Sequence, residues 1–469
     1  MDAADLVYAG LARQAELVRS GEVTPGELVE ASLERIAQID PQLNAFRVTF
    51  PERARAEAEQ AAARLKGGDE RPLLGVPVAI KDDTDVAGEI TACGTGAHGG
   101  PAREDAEVVK RLRAAGAIVI GKTNVPELTM FPFTESMTWG VTRNPWNLDA
   151  TPGGSSGGTA SAVAAGLVGG GLGSDGGGSI RIPAAFCGLY GLKPQRGRIS
   201  YAPFPEHWHG LSVYGPIVRR VADAALWLDV TAGQGPGDAD VPPPPDRPFA
   251  EAAAREPGRL RIAVSSKVPP GLIAKVSDEL LEALQATAGL LRSLGHEVTE
   301  QDPDYGMAST AFIARYLRGI HDDGVEMAQP ERLERRTRGM VRLGSLVTPA
   351  QLAKVRAAEA GQAARIGGVF ASHDVLLTPV TAQTAPKVGR WESRGALWTF
   401  NGIASVCPFT AIWNLTGQPA ASIPAGFGRE RLPLAVQLIG RPNAEASLLS
   451  LSAQIEAARP WADERPPLR

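Results

Sequence analysis

Thr151-Pro-Gly-Gly-Ser-Ser-Gly-Gly158 and, after an Ala-rich stretch, Gly173-Ser-Asp-Gly-Gly-Gly-Ser-Ile-Arg-Ile-Pro-Ala-Ala-Phe-Cys-Gly-Leu-Tyr-Gly-Leu-Lys-Pro194 form the most unusual part of the chain. Glycine is concentrated here beside Ser155, Ser156, Ser161, Ser174 and Ser179. Three residues without side chains, Gly176, Gly177 and Gly178, come directly before Ser179. Such a run lets several backbone N–H groups converge on one point, which is what a developing oxyanion requires. The flank Ile180-Arg-Ile-Pro-Ala-Ala-Phe186 is largely apolar, so the loop is expected to be anchored in the core and held rigid.

Outward from this block, short apolar runs alternate with helical spacing. Val7, Leu11, Ala15 and Val18 read as one helix. Thr24, Pro25 and Glu27 form a capping box with proline at the first helical position, opening a second helix through Leu28, Ser32, Leu33 and Ile36. A charged, Ala-rich helix is expected over 51–66. Val76–Ile80 and Ala117–Ile120 are apolar runs on either side of a helical stretch at 104–115. A helix at 220–233 leads into Gly-Gln-Gly-Pro-Gly and the prolines 242–245, a loop or linker. Beyond it, strands are expected at 260–264, 375–377, 420–424 and 434–439, and helices at 277–294, within 305–320 and 350–370, and near 444–458. β-branched runs alternating with helices predict an α/β fold around a buried mixed or parallel sheet.

Composition narrows the function. The 469 residues are 43% hydrophobic and 21% charged, as in a globular protein with a full core. A net charge of −4 offers no basic excess for nucleic acid. Cys93, Cys187 and Cys407 are too few and too widely spaced for a disulfide framework or a metal knuckle. The acidic Met-Asp-Ala-Ala-Asp start is unlike a signal peptide, and the most apolar stretch, 160–173, is too short to span a bilayer. A cytoplasmic enzyme without membrane contact is expected.

Three motifs match on paper and fail physically. Gly116-Ala-Ile-Val-Ile-Gly-Lys-Thr123 fits the phosphate-loop pattern, but Ala-Ile-Val-Ile prefers a buried strand to a loop curled around phosphates. Gly171-Leu-Gly173-Ser-Asp-Gly176 fits the dinucleotide pattern but lacks the acidic residue about 20 positions on; Gln195 and Arg196 occupy that neighbourhood. Gly154-Ser-Ser156-Gly-Gly158 contains G-x-S-x-G, yet a loop rather than a strand precedes Ser156, and no histidine is placed as its base. A Ser-His-Asp esterase remains an alternative. His207 and His209 have no ligand set around them and read as loop histidines.

A nucleophilic Ser179 needs a base, and without a placed histidine the candidate is a lysine. Lys81 ends the apolar run Val76-Pro-Val-Ala-Ile80, where a strand would deliver it from the interior. Its ordinary pKa of about 10.4 must fall to about 7–8, which burial can achieve. Asp82 and Asp83 would oppose this and are expected to point elsewhere.

The central block closely resembles the amidase signature family. So do Gly75-Val-Pro-Val-Ala-Ile-Lys-Asp82, Gly116–Glu127, Asn414-Leu-Thr-Gly-Gln-Pro419 and Leu434-Ala-Val-Gln-Leu-Ile-Gly440, leaving roughly 235–410 uncovered. The resemblance implies a Ser–cis-Ser–Lys triad, with Ser179 as nucleophile, Ser155 as bridging serine on a cis peptide after Gly154, and Lys81 as base. It implies an oxyanion hole from the N–H groups around Gly176, Gly177, Gly178 and Ser179, and no metal or organic cofactor. Asp175 and Arg181 are read as supports of the loop. The implied fold is a single α/β domain with a mixed, mainly parallel sheet covered by helices on both faces. Its expected parts are N-terminal helices 1–66, a catalytic core 67–233, the Pro/Gly-rich loop 234–257, a substrate-shaping segment 258–410, and C-terminal strands and helix 411–469.

Two departures from the family pattern bear on the substrate. The family usually reads Gly-Thr-Asp-Thr-Gly-Gly-Ser where this chain has Gly173–Ser179; Gly176 should loosen the oxyanion loop or open room for a bulkier substrate. Residues 200–212 differ from the tRNA-dependent glutaminase subunits, favouring a free-standing amidase over a partner-dependent one. Met130, Phe131, Phe133, Trp208 and Phe400 are expected to line the pocket, with Met307, Tyr316, Trp391 and Trp398 as further apolar candidates. The substrates expected are hydrophobic or aryl amides, with esters and carbamates also accessible, and a homodimer is among the assemblies allowed.

Overall fold

The computed structural model describes residues 1–468. Its strands are β1 (Phe46–Thr49), β2 (Pro77–Lys81), β3 (Ile118–Thr123), the short hairpin β4 (Glu135–Ser136) and β5 (Gly140–Val141), β6 (Gly170–Asp175), β7 (Tyr190–Lys193), β8 (Val213–Val218), β9 (Arg261–Val264), β10 (Glu297–Glu300), β11 (Val375–Pro379), β12 (Ala420–Phe427) and β13 (Pro433–Gly440). All but the hairpin join one sheet in the order β1-β3-β2-β6-β8-β7-β12-β13-β11-β9-β10. Strands from both sides of the Pro/Gly-rich stretch therefore share one sheet.

The sheet is mixed, as expected, but its balance is not mainly parallel. Parallel pairing joins β3, β2 and β6 on one flank and β11, β9 and β10 on the other. The middle, from β6 through β8, β7, β12 and β13 to β11, is antiparallel, as is the β1 edge. Helical alternation marks parallel crossovers, but β7–β8 and β12–β13 are linked without an intervening α-helix, and such connections turn strands back on themselves.

Both faces are buried. Val78 and Ile80 of β2 pack with Val109, Leu112, Trp227 and Ile455, whereas Ala79 between them packs with Val29, Ile36, Ala160 and Ala184. Alternate residues of one strand thus enter two different helical layers. Near the N-terminus the capping box forms: Glu27 N–H donates to Thr24 Oγ1 at 3.2 Å, and Thr24 N–H donates to Glu27 Oε2 at 2.7 Å. The first expected helix is instead two, Ala3–Tyr8 and Leu11–Ser20. The break is Gly10, at φ 82°, where a Cβ would lie 2.4 Å from Asp223 Oδ2. The Asp223 carboxylate occupies that space and accepts the Ala12 N–H at 2.8 Å, ending one helix and starting the next.

Candidate active site

Strands β2 and β6 run parallel and adjacent, so their C-terminal ends deliver Lys81 and the Ser174-Asp175 pair to one edge of the sheet. Open α/β sheets bind ligands at that edge. The loop 176–180 follows β6 and ends in the helix Arg181–Cys187. Ser155 and Ser156 immediately precede the helix Gly157–Ala164, and the Gly154–Ser155 peptide is cis. Any side chain at Gly154 would meet Phe131 O at 2.6 Å, which explains the glycine. The two serine segments are tied together, since Ser156 N–H donates to Ser179 O at 3.2 Å.

Lys81 is fully buried. Its Nζ lies 2.7 Å from Ser155 Oγ, 2.6 Å from Ser174 Oγ and 3.0 Å from Asp83 Oδ2. Ser174 Oγ in turn donates to Asp83 Oδ2 at 2.5 Å. Asp82 points away as expected, pairing with Arg47 at 2.7 Å and Lys122 at 3.0 Å. Asp83 does not. The alternation of strand faces stops at Lys81, where the chain turns and Thr84 N–H bonds to Lys81 O, folding Asp83 back onto the lysine. Burial pushes the Lys81 pKa down; Asp83 pulls it part of the way back, and the net direction is downward. Burial would raise the Asp83 carboxyl, but Lys81 and Ser174 outweigh it and hold it below its ordinary value.

The loop is fixed by Asp175. Its Oδ1 accepts from Gly178 N–H at 2.6 Å, Arg181 Nη2 at 2.9 Å and Asn414 Nδ2 at 2.8 Å; its Oδ2 accepts from Ile180 N–H at 3.2 Å and Arg181 Nε at 3.0 Å. Arg181 continues to Gln437 Oε1 at 2.6 Å and Thr410 O at 2.9 Å. Burial alone would raise the Asp175 carboxyl, but Arg181 and Asn414 hold it far below the usual range. Asn414, Gln437 and Thr410 went unassigned in the sequence. The first two lie in the C-terminal stretches of family likeness, the one available signal. Gly178 N–H, one of the expected oxyanion donors, is instead committed to Asp175. Gly178 has φ 128°, and a Cβ there would meet Thr410 Oγ1 at 2.3 Å.

Ser179 is partly exposed and opens into a narrow apolar cavity of about 100 Å³. Met130, Phe131, Trp208, Phe400 and Tyr316 line it with Ser179. Phe133 does not: it is buried beneath the wall, stacked between Phe131 at 5.0 Å and Trp391 at 4.7 Å. Met307 and Trp398 are exposed to solvent instead. Much of the lining comes from two helix faces. Ser309, Phe312, Ile313 and Tyr316 follow the 3–4 spacing in Ala308–Glu326, and Phe400, Ile403, Ala404 and Cys407 repeat it along Ala396–Val406 and its C-cap. That periodicity was the available signal for the residues not singled out.

The discounted motifs have structural roles. Ser156 is fully buried; its hydroxyl donates to Ser174 O at 3.2 Å and accepts from Ser174 N–H at 3.3 Å. Gly116–Thr123 forms the strand β3 and the turn before it. His207 and His209 pair with Asp323 and Asp322 at 3.2 and 2.9 Å. Among the described residues no cluster of His, Cys, Asp or Glu is arranged to hold a metal, and no helix is long and apolar enough to cross a membrane.

A buried lysine joined to a serine hydroxyl, beside a glycine loop and an apolar cavity, describes a class of acyl-transferring hydrolases. Comparison with known proteins resolves the class. The sequence profile of the Amidase family matches residues 27–449, and the chain belongs to this amidase signature family of hydrolases, which act on carbon–nitrogen bonds. It is 53% identical to the Mycobacterium tuberculosis protein AmiB2, over 99% of each chain. The solved structure of 6-aminohexanoate cyclic dimer hydrolase in complex with substrate superposes with a TM-score of 0.90 at 33% identity, covering 98% of this chain and 99% of that one. A bacterial aryl acylamidase of the amidase signature family superposes at 0.86 and 28% identity, covering 98% and 97%.

Proposed function

We propose that the protein hydrolyses small linear amides bearing a hydrophobic or aryl group, through a Ser179 acyl-enzyme. The observation that carries this reading is the fully buried Lys81 within 2.7 Å of Ser155 Oγ, at the sheet edge where Ser179 meets the apolar cavity. Neutral Lys81 Nζ takes a proton from Ser155 Oγ as that hydroxyl takes one from Ser179 Oγ. Ser179 Oγ attacks the carbonyl carbon, and the N–H groups of Gly176, Gly177 and Ser179 receive the oxyanion. The relay returns a proton to the leaving nitrogen as the C–N bond breaks; water then repeats the sequence on the acyl-enzyme. Asp175 and Arg181 keep the donors in place by fixing the loop. Esters and carbamates present the same carbonyl and are read as secondary substrates. The likeness to an aryl acylamidase and to a cyclic amide hydrolase supports amides of apolar character.

The test is product release from matched anilide, aryl carbamate and primary amide substrates and from free glutamine, with wild type beside Ser179→Ala. Anilide turnover that disappears in Ser179→Ala is the expected outcome. Activity surviving in Ser179→Ala would assign the wrong serine, and activity on glutamine alone would assign a partner-dependent glutaminase subunit.

A further inference from the structure

Gly176 was expected to loosen the oxyanion loop or to make room for substrate. The space beside it is filled by the protein itself. A Cβ at Gly176 would lie 2.8 Å from Trp208 Cε3, and a Cβ at Gly319, on the helix Ala308–Glu326, would lie 2.7 Å from Trp208 Cδ1 and Cγ. The indole is thus held between two glycines from distant parts of the chain. Its Nε1 donates to Asp323 Oδ2 at 2.7 Å, and its ring meets Tyr316 edge-on at 5.3 Å. Trp208 and His209 both hold left-handed backbone, at φ 48° and 55°, which a bulky side chain adopts only when its surroundings require it.

Two cavities meet at this ring. On one side is the apolar cavity with Ser179. On the other is a larger cavity of about 430 Å³, where Asp83, His207, Asp322, Asp323 and Glu326 stand among apolar side chains such as Phe204 and Tyr214. Among the described residues, Trp208 is the one side chain that lines both.

We infer that Trp208, seated by Gly176 and Gly319 and held by Asp323, is the specificity-determining partition that ends the apolar cavity and limits the length of the substrate group placed there. The inference rests on the proposed Ser179 chemistry and deepens it. A substrate group that reaches the ring and is too long for about 100 Å³ must displace the indole, and the space beyond carries several acidic side chains. Shortening residue 208 joins the cavities, so longer groups gain, and a group ending in an ammonium gains more than its neutral isostere. Gly319 acts through Trp208 as a positioning residue, because a methyl there must move the ring.

The experiment measures kcat/KM for anilides with a common leaving group and acyl chains of increasing length, each with a methyl or an ammonium terminus. Wild type, Trp208→Ala, Gly319→Ala and the double variant are compared. In Trp208→Ala the long-to-short ratio is expected to rise about tenfold or more, most for the ammonium series. Gly319→Ala is expected to change the ratio about threefold in wild type and by well under half of that in Trp208→Ala, where only the residue 208 Cβ, 3.0 Å from the new methyl, remains. A ratio unmoved by Trp208→Ala, or a Gly319→Ala effect persisting undiminished without the indole, overturns the partition. If Trp208→Ala does not fold, Trp208→Phe carries the same ratio test with a smaller opening. Ser179→Ala, run on the same substrates, reports separately on the chemistry: activity there defeats the Ser179 reading whatever the ratios show.

Discussion

Two lysines lie fully buried on neighbouring strands, each beside an aspartate from the same Asp82-Asp83 pair, and only one of the two is bonded to a serine hydroxyl. Lys122, on β3, is 3.0 Å from Asp82 Oδ1 and donates to Ile90 O and Thr91 Oγ1, both at 2.9 Å. All three of its hydrogens have an acceptor, and Asp82 is further held by Arg47. Lys81, on β2, has Asp83 as its one carboxylate at hydrogen-bonding distance; its other near neighbours are the Ser155 and Ser174 hydroxyls, groups that can pass a proton on. Burial and a carboxylate partner therefore do not mark a base. What distinguishes Lys81 is its pair of serine hydroxyl partners, one of which, Ser155, passes the proton on from Ser179 in the proposed mechanism.

The comparison breaks most readily at its strong end. Lys81→Ala is expected to lower kcat by about 10³-fold with far-UV circular dichroism retained; activity within a few-fold of wild type would remove the lysine from the relay. Lys122→Met should do the reverse. Breaking this buried pair leaves Asp82 with Arg47 alone and is expected to cost about 3–5 kcal/mol of stability, read by urea unfolding, while the folded protein keeps its turnover. A large loss of kcat without loss of stability would erase the distinction between the two lysines.

Asp83→Asn sharpens the contrast through pH. The carboxylate favours the protonated lysine, so removing it lowers the Lys81 pKa further, and the neutral base is reached at lower pH. The acidic limb of the kcat/KM profile should therefore move to lower pH, with a loss of about tenfold at the plateau as Ser174 loses its carboxylate acceptor for a weaker amide. A limb that moves upward contradicts the assignment of Lys81 as base. Smallest is Ser156→Ala, expected to cost about 1 kcal/mol of stability with turnover largely kept, against a severe loss in Ser155→Ala. Equal losses in both variants would mean that the adjacent serines do not differ in role.

The two halves of the site differ in how far the sequence revealed them. The loop from Gly173 to Ser179 was legible as a rigid, core-anchored turn because glycine spacing records backbone geometry directly. Lys81 was legible because an apolar run pointed to a strand end. Asp83 was misplaced because the charge argument moved both aspartates away from the lysine, whereas alternation accounts only for Asp82 and the turn after β2 folds Asp83 back. Phe133 was misplaced because residues 131 and 133 share local character, and only Trp391, far along the chain, decides which of them faces the cavity. The same limit applies to Gly176, whose empty side is filled by Trp208 and not by substrate. The helical cavity walls carried a readable period, but nothing local said that this face turns towards Ser179. In the fold, the capping box and six of the thirteen strands (β2, β3, β9, β11, β12 and β13) were visible; β6 and β7 contain no β-branched residue, and strand direction in the middle of the sheet depends on pairings between distant segments.

The Asp175 anchor bears on how the protein is made. A nascent chain that has emerged only to residue 240 already carries Lys81, Ser155 and Ser179. Asn414 and Gln437, which hold Asp175 and Arg181, are still unsynthesised, and so are β12 and β13, which extend the sheet beyond β7. The bonds that tie this loop to the C-terminal part of the sheet therefore form only once the last strand, β13, has left the ribosome.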